Sequence, residues 1–224
     1  MADNNNNTPR RVILARHGQT EWNKERRFQG RTNVQLTEEG KRQAYSLALR
    51  LESWPPEVIY TSPLDRALYT ANVIGERVNI KPIVLAELQE INFGSWEGQS
   101  IAGLEREQHE NFSKWRADPF FNPPAGAETW EQLYTRLSRA VKTFLDGSYK
   151  NIVVVSHGGI MRALYAVFTG LNPHKVWNMD VSNCAISGVE MRRGRPCLVF
   201  SNDDLHVRAG DSGVKMPVWE GVTI

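Results

Sequence analysis

The chain has 224 residues, 41% of them hydrophobic and 23% charged, with a formal net charge of +2 at pH 7, a balance that suits one globular domain with a closed core. Basic residues are scattered in short pairs such as Arg26-Arg27 and Arg192-Arg193, which excludes a strong field directed at nucleic acid or an anionic membrane. No apolar run approaches the roughly 20 residues that span a bilayer, and the Asn-rich start lacks the apolar stretch of a secretory signal, so a cytoplasmic location and a disordered tail over residues 1–10 are expected.

Along the chain, Val12-Ile13-Leu14-Ala15 reads as a buried strand that stops at Arg16-His17-Gly18. Thr37 caps a predicted helix with Ala44, Leu47, Ala48 and Leu51 on one face, and Pro55-Pro56 ends it. Val58 to Thr61 is a second strand. Ser62-Pro63 reads as the cap and first turn of a helix that repeats Ala67, Ala71, Ile74 and Val78. Pro82 to Leu85 predicts a third, short strand, and pattern alone assigns no conformation to Glu90-Ile91-Asn92-Phe93-Gly94. From about Ser100 to Ala127 a short helix and an irregular, lid-like excursion are expected, with Pro119, Pro123 and Pro124 late in the stretch.

Thr129 and Gln132 form a capping-box pair before a helix carrying Trp130, Leu133, Leu137, Val141 and Phe144. Ile152-Val153-Val154-Val155 reads as a strand buried on both faces, with a helix starting near Gly159. Two late strands are expected over Cys184–Met191 and Pro196–Phe200, followed by a polar tail from about Asp204. Cys184 and Cys197 are read as buried, reduced thiols, since they lack disulfide or zinc spacing. Strands alternating with helices predict an α/β fold, a mostly parallel central sheet with helices on both faces, in a single domain over residues 11–224.

Open parallel sheets bind ligands beyond the carboxyl ends of their strands. Three predicted strands end in Arg16-His17-Gly18, in Ser62-Pro63 with Arg66 one turn later, and in Ser156-His157-Gly158-Gly159. Two histidines and two arginines are therefore expected in one crevice. That inventory suits a phosphoryl group: guanidinium forks match phosphate oxygens, a helix start near His157 offers free amides, and Gly158 permits close approach. A neutral imidazole can act as the nucleophile. The chain has no Gly-x-x-x-x-Gly-Lys-Ser/Thr loop, and none of His17, His109, His157, His174 and His206 has the spacing of a helical zinc pair. No metal and no cofactor are expected.

These blocks resemble the histidine phosphatase superfamily, the one that includes cofactor-dependent phosphoglycerate mutase. The resemblance runs from about Val12 to Asn202 and rests on Arg16-His17-Gly18-Gln19-Thr20-Glu21-Trp22-Asn23, Leu36-Thr37-Glu38-Glu39-Gly40, Ser62-Pro63-Leu64-Asp65-Arg66-Ala67, Glu90-Ile91-Asn92-Phe93-Gly94-Ser95-Trp96-Glu97-Gly98 and Ser156-His157-Gly158-Gly159. It implies that His17 is phosphorylated, that Arg16, Arg66 and His157 bind the phosphoryl group, and that Asn23 bonds its oxygens or orients His17. Glu90 would protonate the leaving oxygen and then activate water. Gln29 and Gly30 would sit at the substrate mouth, and Gly158 would let the backbone close on the phosphate.

Mutases of the superfamily carry a longer insertion before the second histidine, with an Arg-Arg pair for a sugar-acid carboxylate. Here about 66 residues separate Glu90 from His157, and the stretch has Arg106, Lys114 and Arg116 but no Arg-Arg. The expectation is a phosphomonoester hydrolase acting on a small phosphorylated metabolite, with a phosphoglycerate mutase and a non-catalytic phosphate-binding module as alternatives. The module would be expected to lack His17 or Glu90, and both are present. Pro124-Ala125-Gly126-Ala127-Glu128 only loosely matches the Pro-Gly-Gly-Glu-Ser of α-ribazole phosphatases, so α-ribazole phosphate, sugar phosphates and phosphoglycerate all stay open as substrates. Phe112, Trp115, Phe120 and Phe121 are read either as a lid packed on its own domain or as an apolar cover for the leaving group. No nucleic acid and no membrane are expected as partners, and a homodimer stays open.

Overall fold

A computed structural model describes residues 9–210, so most of the expected tail, residues 1–8, lies outside the described residues. Arg10, at its end, is fastened by guanidinium hydrogen bonds to the carbonyls of Leu145, Gly147 and Tyr149.

The first strand, β1 (Arg11–Arg16), buries Val12 and Leu14 toward one face and Ile13 and Ala15 toward the other. Only a strand covered on both sides can place four consecutive apolar residues this way. A four-residue helix, α1 (Glu21–Lys24), follows, then α2 (Glu38–Glu52), whose Thr37 cap accepts from the Gly40 amide as expected. Next come β2 (Val58–Thr61), α3 (Asp65–Val78) and the two-residue β3 (Ile83–Val84). Helix α3 starts two residues later than the Ser62-Pro63 signal implied, with Leu64 at the cap and no side-chain cap bond.

The stretch expected to hold one short helix contains two, α4 (Ile101–Glu107) and α5 (His109–Ala117). The capping box at Thr129 and Gln132 opens α6 (Trp130–Asp146). Strand β4 (Asn151–Ser156) leads directly into α7 (Gly158–Thr169). The last two strands are β5 (Ile186–Arg192) and β6 (Arg195–Asp203), and the polar region after them includes a short helix, α8 (Leu205–Arg208). Cys184 is buried as expected, whereas Cys197 is only half-buried.

The sheet order is β3-β2-β4-β1-β5-β6. Strands β3, β2, β4 and β1 pair in parallel, and β5 and β6 add an antiparallel hairpin at the β1 edge. Helices α2 and α3 pack on the face of Ile13, Ala15, Ile59 and Val153. Helices α6 and α7, with Leu104 and Phe112 of the excursion, pack on the face of Val12, Leu14 and Val154. The chain therefore leaves neighbouring strands β1 and β4 toward opposite faces of the sheet, which opens a crevice above their carboxyl ends. Among the described residues no helix is long and apolar enough to cross a membrane.

Candidate active site

Strands β1 and β4 lie in register with Arg16 opposite Ser156, so the residues after each strand meet at one end of the sheet. The His17 amide donates to Ser156 O at 2.9 Å. The His17 and His157 rings stand 5.1 Å apart between centroids, and both are buried.

His17 Nδ1 lies 2.7 Å from Gly18 O. A carbonyl oxygen only accepts, so Nδ1 carries the ring proton and Nε2 keeps its lone pair. Burial, reinforced by the charges of Arg66 and Arg16, holds the His17 pKa well below 6.5. The same causes, with burial again first, lower His157. Both rings are therefore neutral near pH 7.

His157 occupies the cap position of α7, and its Nε2 lies 2.8 Å from Ser62 Oγ. Ser62 Oγ already accepts from the Leu64 amide. Its hydroxyl proton has no other acceptor among the described residues, so it goes to His157 Nε2 and the ring proton sits on Nδ1. That Nδ1 is buried without a hydrogen-bond partner.

The arginines are half-used in the same manner. Arg16 donates from Nη1 to Val181 O at 2.6 Å. Arg66 donates to Thr32 O at 2.9 Å and Gly30 O at 2.8 Å. In each, Nε is buried and unpaired. Burial lowers both guanidinium pKa values to about 10, which leaves them charged at neutral pH. Buried donors without acceptors are rare and costly. Three of them around one neutral imidazole make a cradle for an anion with several acceptor oxygens.

Glu90 closes the cradle from the α7 side. Its Oε1 accepts from its neighbour's amide at Ile91 (2.9 Å) and its Oε2 from Gly159 N (3.2 Å). A Cβ at Gly159 would sit 2.7 Å from both Glu90 Oε1 and Ile91 Cδ1, so only glycine admits the carboxylate here. The Glu90 carbonyl is held at 3.4 Å by Arg31 Nε and by Arg136 Nη2, and Arg136 is itself clamped by the Glu128 carboxylate.

At the opposite wall, Asn23 Oδ1 accepts from Thr20 N at 3.1 Å and from Asn183 Nδ2 at 3.2 Å, which turns the Asn23 amide group toward the cavity. Gln29 Oε1 accepts from Thr20 Oγ1 at 3.0 Å. Gly30 has φ +53°, and a Cβ there would overlap the Glu97 carboxylate, which accepts from the amides of Arg31 and Phe93 and from Thr32 Oγ1. That loop supplies the two carbonyls gripped by Arg66.

One cavity of about 220 Å³ is lined by Arg16, His17, Asn23, Gln29, Gly30, Arg66, Glu90 and Gly158 among others, eight of the nine residues singled out in the sequence. The ninth, His157, lies against His17. Of the four aromatic residues read as lid or cover, only Trp115 reaches this cavity. Phe112 and Phe120 are buried in the domain core, and Phe121 stacks on His174 with centroids 4.1 Å apart.

Several members escaped sequence reasoning. Ser62 serves His157 and caps no helix. Asn183 and Trp177 lie in connections without a recognisable pattern. Arg162 lines the cavity one helical turn after Gly158, a spacing that could have revealed it. Among the described residues no group of three or more His, Cys, Asp or Glu side chains is gathered around a point where a metal ion could bind.

A family model described as histidine phosphatase superfamily, branch 1, matches residues 12–204. The chain is 34% identical to phosphoserine phosphatase 1 of Hydrogenobacter thermophilus, over 88% of this chain and 94% of that protein. It is 29% identical to the adenosylcobalamin/alpha-ribazole phosphatase of Escherichia coli, over 82% of this chain and 91% of that one. A solved structure of a mycobacterial glucosyl-3-phosphoglycerate phosphatase with VO3 superposes with a TM-score of 0.80 at 27% identity, covering 87% of this chain and 99% of the other.

Proposed function

The chain belongs to the histidine phosphatase superfamily, and from that premise we propose that it hydrolyses a small phosphorylated metabolite with His17 as the residue that is phosphorylated. In this reading the phosphomonoester enters with its phosphoryl oxygens on Arg16 Nε, Arg66 Nε and His157 Nδ1. The His17 Nε2 lone pair attacks phosphorus, and the bond to the leaving oxygen breaks. Glu90, as a carboxylic acid, gives its proton to that oxygen. The leaving alcohol departs. A water then loses a proton to the Glu90 carboxylate and attacks phosphorus, which frees phosphate and restores His17.

The chain's own residues supply positioning and charge for both steps. Fixed donors aimed at the phosphoryl oxygens need no reorganisation as charge shifts in the transition state. The Nδ1 bond of His17 to Gly18 O keeps the attacking nitrogen free and stabilises the ring as it gains positive character. Asn23 and Gln29 offer amide hydrogens at the cavity mouth, and the excursion over residues 100–127 contributes Trp115 to its wall.

The observation that carries this reading is the set of three buried, unpaired donors around His17. Rapid-quench mass spectrometry under alkaline conditions is the direct test, because phosphohistidine survives base. Phosphate should be found on His17 during turnover of p-nitrophenyl phosphate, and His17→Ala should abolish turnover with the melting transition retained. Phosphate on another side chain, or activity surviving in His17→Ala, would overturn it. Efficient interconversion of phosphoglycerates in the presence of bisphosphoglycerate would move the chain to the mutase reading.

A further inference from the structure

Beyond the phosphoryl cradle the cavity changes character. Its outer wall is Phe28, Phe93, Ile101, Trp115 and Trp177. Phe28 and Trp115 pack edge to face at 5.0 Å, and Trp115 and Trp177 at 5.5 Å, so the wall is fixed before anything binds. A leaving group must lie against this surface, and a fully hydrated one would forfeit the burial that the wall offers.

The charge in the cavity is also one-sided. Four guanidinium groups line it, those of Arg16, Arg27, Arg66 and Arg162, against a single carboxylate, Glu90. The two histidines are neutral for the reasons given above. Arg27 is offset by its ion pair with Glu25, and Glu90 is uncharged as the proton donor, so Arg16, Arg66 and Arg162 face a phosphoryl dianion with one positive charge to spare. An ammonium group close to the ester would meet like charge, and Glu90, protonated to serve the leaving oxygen, would offer it no anion among the described residues that line the cavity.

Arg162 stands where the cradle meets the apolar wall. Its Nε donates to Met179 O at 3.0 Å and its Nη1 to Gly158 O at 3.2 Å. Its guanidinium lies 4.9 Å from the Trp177 ring centre. A Cβ on Gly158 would be 3.4 Å from Arg16 Nε and 3.5 Å from Arg162 Nη1, so the two guanidinium groups flank the same glycine. Arg162 Nη2 has no hydrogen-bond partner among the described residues. It is a fixed cationic donor on the leaving-group side.

Resting on the phosphatase reading, we propose that this site takes phosphomonoesters whose leaving group combines an apolar face with an acidic substituent and carries no ammonium. The apolar face lies on the Phe28–Trp115–Trp177 wall, and the acid reaches Arg162. Phosphoserine, the substrate in the names of two relatives from Hydrogenobacter thermophilus, falls outside this class because of its ammonium group.

The test compares kcat/KM of the full chain for 3-carboxyphenyl phosphate, phenyl phosphate and O-phosphoserine at one pH. The carboxyphenyl ester should exceed phosphoserine by at least about tenfold, and Arg162→Gln should shrink the carboxyphenyl-to-phenyl ratio toward one. Phosphoserine turned over as well as the carboxyphenyl ester, or a ratio untouched by Arg162→Gln, overturns the proposal. Calorimetric Kd values for the inert 3-carboxyphenylphosphonate and 2-amino-3-phosphonopropionate separate the two readings. If no ester is hydrolysed yet the aryl phosphonate binds at least about tenfold more tightly, the phosphatase reading fails and the leaving-group inference stands. Equal or reversed affinities sink the inference alone.

Discussion

His17 Nδ1 and Gly18 O are 2.7 Å apart, a contact within the motif itself that decides which imidazole nitrogen can attack. Burial, then Arg66 and Arg16, disfavour the imidazolium. Nitrogen-15 NMR of the free protein should therefore find His17 neutral, with its proton on Nδ1, and neither His17 nor His157 titrating near 6.5. The sign matters for activity: a lowered pKa keeps the nucleophile competent as pH falls. The acid limb of kcat/KM should then follow the second ionisation of the phosphomonoester, near about 6, and should move with the pKa of the substrate chosen. A limb that stays fixed across substrates would assign it to the protein instead.

Asn183 links the two sides of the cradle. Its Nδ2 donates to His17 O at 3.1 Å and to Asn23 Oδ1 at 3.2 Å. It touches no reacting atom in the proposed chemistry, so it is a positioning residue. Asn183→Leu removes both donors at similar volume and should lower kcat by about tenfold, with a smaller change in KM and little change in melting temperature. Asn183→Asp sets a carboxylate against two acceptor oxygens and should lower kcat further. A rise in KM alone would mean that the amide serves binding and not the alignment of His17.

The sequence was most legible where local and global demands coincide. Ile152–Val155 could only be a strand buried on both faces, and the capping box at Thr129 and Gln132 marked the start of α6 where the structure has it. Site residues were readable because the parallel sheet sends the ends of β1 and β4 to one place. Ser62 was misread because a serine before a proline is a strong helix-start signal, while its tertiary partner, His157, lies 95 positions away. The Glu90 segment carries no periodic pattern, since its shape is set by contacts with Gly159, Arg31 and Arg136. Asn183 adjoins Cys184, a non-glycine residue at φ 55°, in a connection tied to β6 by the Ser182 amide, which donates to Asn202 Oδ1 at 2.6 Å. Helix α5 has no side-chain cap bond and buries only Phe112, so propensity gave little notice of it.

Gly159 supplies a test of the acid–base assignment that leaves Glu90 itself in place. In Gly159→Ala the new methyl would fall 2.7 Å from Glu90 Oε1, and either the carboxylate or the α7 start must move. A displacement of about 1 Å at a reacting group costs roughly 100-fold in rate. Turnover of an ester with a poor leaving group, such as phenyl phosphate, should fall by about that factor. p-Nitrophenyl phosphate, whose leaving oxygen needs less protonation, should lose less in the phosphorylation step. Equal losses for both esters in a single-turnover measurement would argue against Glu90 as the proton donor.

Behind the site, stability is tied to pH through Arg50. This buried guanidinium donates to both Asp203 oxygens, at 2.9 Å to Oδ1, and lies 2.8 Å from His206 Nδ1. Because a guanidinium only donates, His206 Nδ1 must accept, and its Nε2 donates to Cys184 O at 2.9 Å. Burial first, then the Arg50 charge, lowers the His206 pKa from 6.5 to about 4. Below pH 6.5 the unfolded chain takes up this proton before the folded one does, so stability falls as pH falls. The full contribution is present above about 6.5, and roughly 3 kcal/mol of it is lost by the time pH reaches about 4. The Cys184 amide also holds His17 O at 3.2 Å, so opening this cluster loosens the nucleophile loop. Urea unfolding at pH 7 and pH 5 should show the wild type weakening. His206→Gln, which can accept from Arg50 and donate to Cys184 O without titrating, should weaken less across the same interval, with the remainder due to buried His17 and His157. Identical pH dependence in the two proteins would remove His206 from the acid lability of the fold.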